Sequence, residues 1–338
     1  MKIITYNLII FFTLILFGEI ALGYWFTNDN FGIHMRDQRN INWKTVSNFN
    51  NKEYNFYYKR NFYGFRGEEF DPSQVKIIFQ GGSTANQRFT PEEFTIVGRL
   101  NEKFTKDKIN IKIFNAGMDG KSLRGIIYDF NYWFTKINNL KPEYTIFYLG
   151  INETTLARDL DEKIFDIHYH KKKFDKFKDY LKNNSFIYSK YKAVSNKYFP
   201  RETKGYFINS EKLYEAFKYI DYNEAKKIDR KISTNDNKIL IQLEQRLVVL
   251  KKILDERKIK PVIITQVEFD GLNDQRLFLV NEKLKEFSIK NNIPIIKLDE
   301  IIKMEINDFY DNVHTTPEGS SKIADKIYIH LRKILANQ

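Results

Sequence analysis

Lys76-Ile77-Ile78-Phe79-Gln80-Gly81-Gly82-Ser83-Thr84-Ala85 is the stretch from which the rest of the chain is read. An apolar, β-branched run breaks off into two glycines and a hydroxyl, the pattern of a buried strand that ends in a tight turn. Four more runs of this kind follow: Ile111-Phe114, Tyr144-Leu149, Pro261-Val267 and Ile293-Leu298. Helical patterns separate them, over 91–106, 122–138, 236–257, 273–291 and 317–335. The first helix is signposted by Thr90-Pro91-Glu92-Glu93, with an N-cap, a proline at the first helical position and a capping-box glutamate. The last opens with Thr316-Pro317-Glu318. Continuous apolar strands alternating with helices predict a five-stranded parallel sheet covered on both faces, a doubly wound α/β domain spanning 73–338. Between the third and fourth strands, residues 155–235 are rich in Lys, Asp, Tyr and Phe. They read as a helical insertion overhanging the sheet edge. Residues 27–72 read as an irregular connector in which Arg66 pairs with a carboxylate to pin the segment to the domain.

Ligands of open α/β sheets bind beyond the carboxyl ends of the strands, so the residues just past each strand are the informative ones. The first strand delivers Ser83, the second Asn115-Ala116-Gly117-Met118-Asp119-Gly120, and the third Gly150-Ile151-Asn152-Glu153. Past the fifth comes Asp311-Asn312-Val313-His314. A serine hydroxyl becomes a nucleophile when a base takes its proton, and imidazole is the side chain suited to that near neutral pH. Asp311, three residues before His314, is placed to orient the ring and stabilise its cation. The Ser83 backbone N–H, a glycine N–H after the second strand and the Asn152 amide are candidate donors to a developing oxyanion.

These four blocks, in order and each at a strand end, resemble those of the SGNH, or GDSL-like, hydrolase family. The resemblance covers residues 76 to about 336 without most of the insertion. It implies a flavodoxin-like three-layer α/β/α fold, ester or acyl hydrolysis, and an oxyanion glycine that matches Gly120 better than Gly117. Two positions depart from the family pattern: Gly81-Gly82-Ser83 replaces Gly-Asp-Ser, and Asn152-Glu153 replaces Asn-Asp. Neither removes a catalytic group. The catalytic residues are therefore expected to be Ser83, Asp311 and His314, with Ser83, Gly120 and Asn152 forming the oxyanion hole.

The run Ile3 to Phe26 is apolar except for Asn7 and Glu19 and is long enough to span a bilayer. It reads as a signal anchor over 1–26; a cleaved signal peptide, with Ala21-Leu22-Gly23 as the small-residue site, is the alternative. Either reading puts the rest of the chain outside the cytoplasm. The net charge of +12 is compatible with an anionic neighbour, but no nucleic-acid motif accompanies it. With no cysteine, thiolate chemistry and Cys-based metal sites are excluded. Gly120-Lys121-Ser122 lacks the earlier glycine of a phosphate loop, since Asn115 stands in that place. Asp166, His168 and His170 lie among lysines and read as a solvated surface. No metal and no cofactor are expected. The expected function is an extracytoplasmic serine esterase acting on an acyl ester, such as an O-acetyl group on a cell-envelope or extracellular glycan. The alternatives are an O-acyltransferase using the same acyl-enzyme and a catalytically silent, anchored glycan-binding or assembly factor.

Overall fold

The computed structural model describes residues 2–27, 31, 35–155, 173–205 and 218–336. Helix α1 (Lys2–Leu22) buries none of its residues. It is the one helix among those described that is long and apolar enough to cross a membrane.

Residues 41–60, expected to be irregular, form a hairpin. Strands β1 (Ile41–Phe49) and β2 (Lys52–Arg60) pair antiparallel in unbroken register from Ile41↔Arg60 to Phe49↔Lys52. Asn50 and Asn51 close the turn with φ of 50° and 63°, the left-handed pair that a tight hairpin requires. The alternation is present in the sequence, because Ile41, Thr45, Ser47, Phe49, Tyr54, Tyr58 and Arg60 point inward and are buried. Their polar neighbours face solvent and dilute the apolar signal.

The main sheet follows. Strand β3 (Ile77–Gly81) leads into the single turn α2 (Ser83–Asn86), then helix α3 (Ile96–Lys106) and strand β4 (Ile113–Asn115). Helix α4 (Leu123–Tyr128) and strand β5 (Tyr144–Tyr148) come next. The insertion supplies α5 (Lys173–Asn184), α6 (Phe186–Tyr198), the short strand β6 (Arg201–Lys204) and α7 (Tyr222–Lys227). The chain closes with α8 (Thr234–Arg257), β7 (Lys260–Ile264), α9 (Gln275–Lys290), β8 (Ile295–Ile296), α10 (Leu298–Ile301) and α11 (Pro317–Ala336). The sheet order is β4-β3-β5-β7-β8, with every neighbour parallel. In domain order this is 2-1-3-4-5, the flavodoxin-like arrangement. Its switch point falls between β3 and β5.

Both faces of the sheet are covered, as the uninterrupted apolar strands require. Ile78, Phe147 and Ile263 pack under α4, α8 and α9 through Leu123, Leu247 and Leu284. Phe79, Ile146 and Ile264 face the other way, onto Leu100 of α3 and Ile327 of α11.

Two local expectations are corrected. Helix α3 starts at Ile96, with Thr95 as the N-cap accepting the Gly98 N–H at 2.9 Å, and not at Thr90. The reason is Arg66, whose Nε pairs with Glu92 Oε2 at 2.6 Å while its other nitrogens take the Gln87 and Thr90 carbonyls. A carboxylate of the expected first turn and the Thr90 backbone are thereby committed to the Arg66 tether. The insertion, for its part, is not purely helical: β6 runs parallel to β1, Trp43 opposite Arg201, and completes a second, three-stranded sheet β2-β1-β6. Asp166, His168 and His170 lie outside the described residues.

Candidate active site

β3 ends at Gly81, and α2 begins at once with Ser83. The hydroxyl therefore sits on the first residue of a helical turn at the switch point. The turn after β4 is laced to it: Met118 N–H donates to the Gly81 carbonyl at 3.1 Å, and the Asn115 amide donates to the Ala85 carbonyl at 2.8 Å. Arg60, fully buried, reaches across from the hairpin. It donates to Asn86 Oδ1 at 3.1 Å and to the Gly117 carbonyl at 2.8 Å. Asn86 in turn donates to Asp119 Oδ1 at 2.7 Å. The hairpin thus holds both loops in place.

Asn152 follows β5 on a short 3-10 turn, and its Nδ2 donates to the Lys121 carbonyl at 2.9 Å. A Cβ on Gly82 would lie 1.7 Å from that nitrogen and 3.1 Å from the Lys121 carbonyl. Glycine is therefore required at 82 for the Asn152 amide to lie against the backbone that enters Ser83. One amide hydrogen is spent on Lys121 and the other is left for a ligand. Gly82→Ala should push the amide aside, because the far end of a side chain yields more easily than backbone. We expect kcat to fall by about 10²-fold to 10³-fold, the range for loss of one oxyanion donor, with a nearly unchanged thermal midpoint; steady-state kinetics and a melt read both.

Gly120 is exposed, has φ of +71°, and would meet nothing with an added Cβ. Its N–H has no partner among the described residues. Gly117, the other candidate, spends its N–H on Asn115 Oδ1 at 2.9 Å and packs against Asn86 and Ala85. Between them, Gly120 alone keeps a donor free. Lys121 next to it is buried, donates to the Ala116 carbonyl at 3.1 Å and pairs with Asp129. It serves as a strut for the loop, with no exposed ammonium for a phosphate.

The acid and the imidazole come from the loop before α11. His314 Nδ1 and Asp311 Oδ2 are 2.7 Å apart. Asp311 Oδ1 accepts the Val313 and His314 N–H groups at 2.9 and 2.7 Å. Burial pushes the Asp311 carboxyl up, but the His314 bond and charge and the two backbone donors outweigh it and hold it below the usual range. Asp311 therefore stays ionised beside the ring. Tyr310 stacks on the imidazole, 5.5 Å between centroids and 10° from parallel.

Two buried glutamines that the sequence reading did not single out tie these segments together. Gln87, ending α2 with φ of 48°, donates to Thr315 Oγ1 at 3.0 Å and to Ser320 Oγ at 2.6 Å. The Ser83 turn is thereby fastened beside His314. Gln266, past β7, donates to Thr84 Oγ1 at 2.9 Å and accepts the Ile151 N–H at 2.8 Å. It spans the Ser83 and Asn152 turns. Their signal in the sequence is only position, since each stands within a few residues of a strand end. Within this frame Ser83 Oγ and His314 Nε2 have no hydrogen-bond partner among the described residues, and both residues are partly exposed. No three His, Asp or Glu side chains among the described residues converge as a metal would require.

The chain is similar in structure to GDSL-like lipolytic hydrolases. One is a GDSL-like lipase from Bacteroides thetaiotaomicron, at 10% identity and a TM-score of 0.40, covering 80% of this chain and 92% of the lipase. Another is the psychrotrophic esterase EstA from Pseudoalteromonas sp., at 11% identity and 0.41, covering 78% and 100%. A third is an acetyl xylan esterase at 13% identity and 0.43, covering 75% and 98%. No family model matches the sequence, and no curated protein does.

Glu153, where the family pattern has aspartate, is buried and accepts the Leu123 N–H at the start of α4 at 2.5 Å. Arg246 is 3.8 Å from its second oxygen, too far to satisfy it. Burial pushes the carboxyl up to about 7, against the Leu123 bond and the Arg246 charge. A carboxyl raised in the folded state binds its proton more tightly there than when unfolded. Its stabilising contribution is complete below the ordinary glutamate range and is lost as pH rises towards 7. Glu153→Gln should flatten that fall, measured as unfolding free energy by denaturant titration at a series of pH values.

Proposed function

We infer that the protein is a serine esterase whose Ser83, His314 and Asp311 act as nucleophile, base and orienting acid. The observation that carries this reading is the Asp311–His314 pair held beside a Ser83 turn whose neighbour Gly82 makes room for the Asn152 amide. Ser83 Oγ attacks the ester carbonyl while His314 Nε2 takes its proton, and Asp311 keeps the other ring nitrogen protonated and the cation stabilised. The oxyanion is received by the Ser83 N–H, the Gly120 N–H and Asn152 Nδ2. His314 then returns the proton to the leaving alcohol. In the second half it deprotonates water, which attacks the acyl-enzyme and releases the acid and Ser83.

Reading α1 as a membrane anchor supports a site outside the cytoplasm. An acylated glycan is the substrate we favour. A groove of about 460 Å³ runs between Arg88-Phe89, just beyond α2, and Trp43, Arg201 and Lys204 of the second sheet. Arg88 pairs with Asp119 at 3.2 Å, at the loop that carries Gly120, so the groove opens beside the reaction centre. Arg201 and Arg88 lie over the Trp43 ring at 5.5 and 6.0 Å, and Lys204 adds a third cation against one acid, Glu202. An aromatic groove with this excess of positive charge suits a sugar chain bearing negative charge. Trp43→Ala should raise KM for an acetylated anionic polysaccharide about threefold to tenfold, the size of one aromatic contact, and leave p-nitrophenyl acetate kinetics unchanged. The function itself is tested by acid release from both substrates. Release from neither by folded full-length protein contradicts an esterase.

A further inference from the structure

The apolar run at the start of the chain carries one acid, and the fold employs it. Glu19, near the end of α1, accepts the Phe186 and Ile187 N–H groups at 3.1 and 2.9 Å. These are the first donors of α6, left without partners inside their own helix, and a carboxylate is the group such a helix start favours. Tyr24 N–H donates to the Asn184 carbonyl at 2.8 Å, and the Trp25 ring meets Tyr180 edge-on at 6.0 Å. The α5–α6 hairpin is thus fixed to the end of α1. Cleavage after Gly23 would remove this carboxylate and leave α6 only its Ser185 cap, which takes the Tyr188 N–H at 3.0 Å.

The hairpin presents an unpartnered apolar surface at that place. On α6, Ile187, Tyr191, Val194 and Tyr198 recur at helical spacing and are 46, 66, 54 and 64% exposed. On α5, Phe174, Phe177 and Leu181 do the same at 75, 58 and 39%. Lys173, Lys176, Lys178, Lys190 and Lys197 are exposed beside them, and none forms an ion pair among the described residues. Aromatic and aliphatic stripes flanked by lysines are the composition of a helix lying in a lipid interface, where long basic side chains reach the headgroups. Tyrosine at the end of a span belongs to the same layer.

We propose that α5 and α6 form a foot lying in the headgroup layer of an anionic membrane, held at the end of the α1 span by Glu19. The proposal rests on reading α1 as a retained anchor. It is independent of the esterase chemistry.

Because the chain has no cysteine, single cysteines can be introduced into the full-length protein and labelled with the environment-sensitive fluorophore NBD. Phe177→Cys and Tyr191→Cys report on the foot, and Ile329→Cys, exposed on α11, is the control. The protein is reconstituted into vesicles of phosphatidylcholine with phosphatidylglycerol. The expected result is co-flotation with the vesicles, blue-shifted NBD emission at 177 and 191, quenching there by spin-labelled lipid and loss of iodide quenching, with 329 remaining aqueous. Lowering the phosphatidylglycerol content should weaken the shift. If the protein floats but 177 and 191 are as open to iodide as 329, the foot is refuted and the anchor stands. If it fails to float, both are refuted. Probes shielded from iodide yet insensitive to spin-labelled lipid would mean a protein contact in place of the membrane, and would also overturn the proposal.

Discussion

Ser83→Ala is expected to lower kcat toward any accepted ester by about 10⁴-fold or more, the loss typical of removing the nucleophile from such a unit. The size follows from what the substitution leaves behind. The oxyanion donors and the Asp311–His314 pair remain, but they then serve water that no group holds in line with the carbonyl. The fold should be undisturbed. Ser83 Oγ makes no bond within the described protein, and α2 is held by others: Arg60 through Asn86, Gln266 through Thr84, and Gln87 through Thr315. An unchanged melting profile beside the lost activity therefore separates a chemical role from a structural one. If turnover survives within tenfold of wild type, some other residue is the nucleophile.

Asp311→Asn is expected to cost about 10⁴-fold in kcat, the scale of a mis-set imidazole tautomer. Asp311 serves two backbone donors with Oδ1 and His314 Nδ1 with Oδ2. Asparagine has one acceptor oxygen, and the Val313 and His314 N–H groups will claim it. Its NH₂ then faces Nδ1, which must accept and be unprotonated. The neutral ring is forced to carry its proton on Nε2, where it cannot receive one from Ser83. The same substitution removes a carboxyl held below the usual range. The stability that carboxyl contributes is present above the ordinary aspartate range and lost as pH falls through its lowered value. The variant should therefore lose less stability on acidification than wild type, as well as losing turnover. A pH series of kcat and of unfolding midpoints reads both.

The central sheet was legible because its strands are buried on both faces. Ile77-Ile78-Phe79 and Tyr144-Thr145-Ile146-Phe147-Tyr148 have no solvent face to blur the signal, and each ends where a glycine must follow. The positions of the four segments at one edge of the sheet were legible for the same reason: a strand end fixes where its next residues go. The hairpin was not, because β1 and β2 bury one face only and Asn50-Asn51 is a weaker turn signal than Asn-Gly. β6 was hidden further, since four polar residues, Arg201-Glu202-Thr203-Lys204, become a strand only by pairing with β1 over 150 residues away. Arg66 is the tether that its sequence setting predicts. That its partner is Glu92, which displaces the start of α3, depends on a meeting of distant segments that no local pattern records. Gln87 and Gln266 belong to the same class. Nothing in their neighbours distinguishes a surface glutamine from a buried one that joins two loops. Gly82 is legible in the sequence only as part of a block. The lack of room for a Cβ beside Asn152 emerges only when β3 and β5 lie side by side.

An activated Ser83 is the centre of the proposed chemistry. Full-length protein treated with a fluorophosphonate probe should gain one adduct by intact mass, mapped by peptide sequencing to Ser83 and abolished in Ser83→Ala and His314→Ala. Absence of an adduct on folded wild type, or equal labelling of Ser83→Ala, would contradict it.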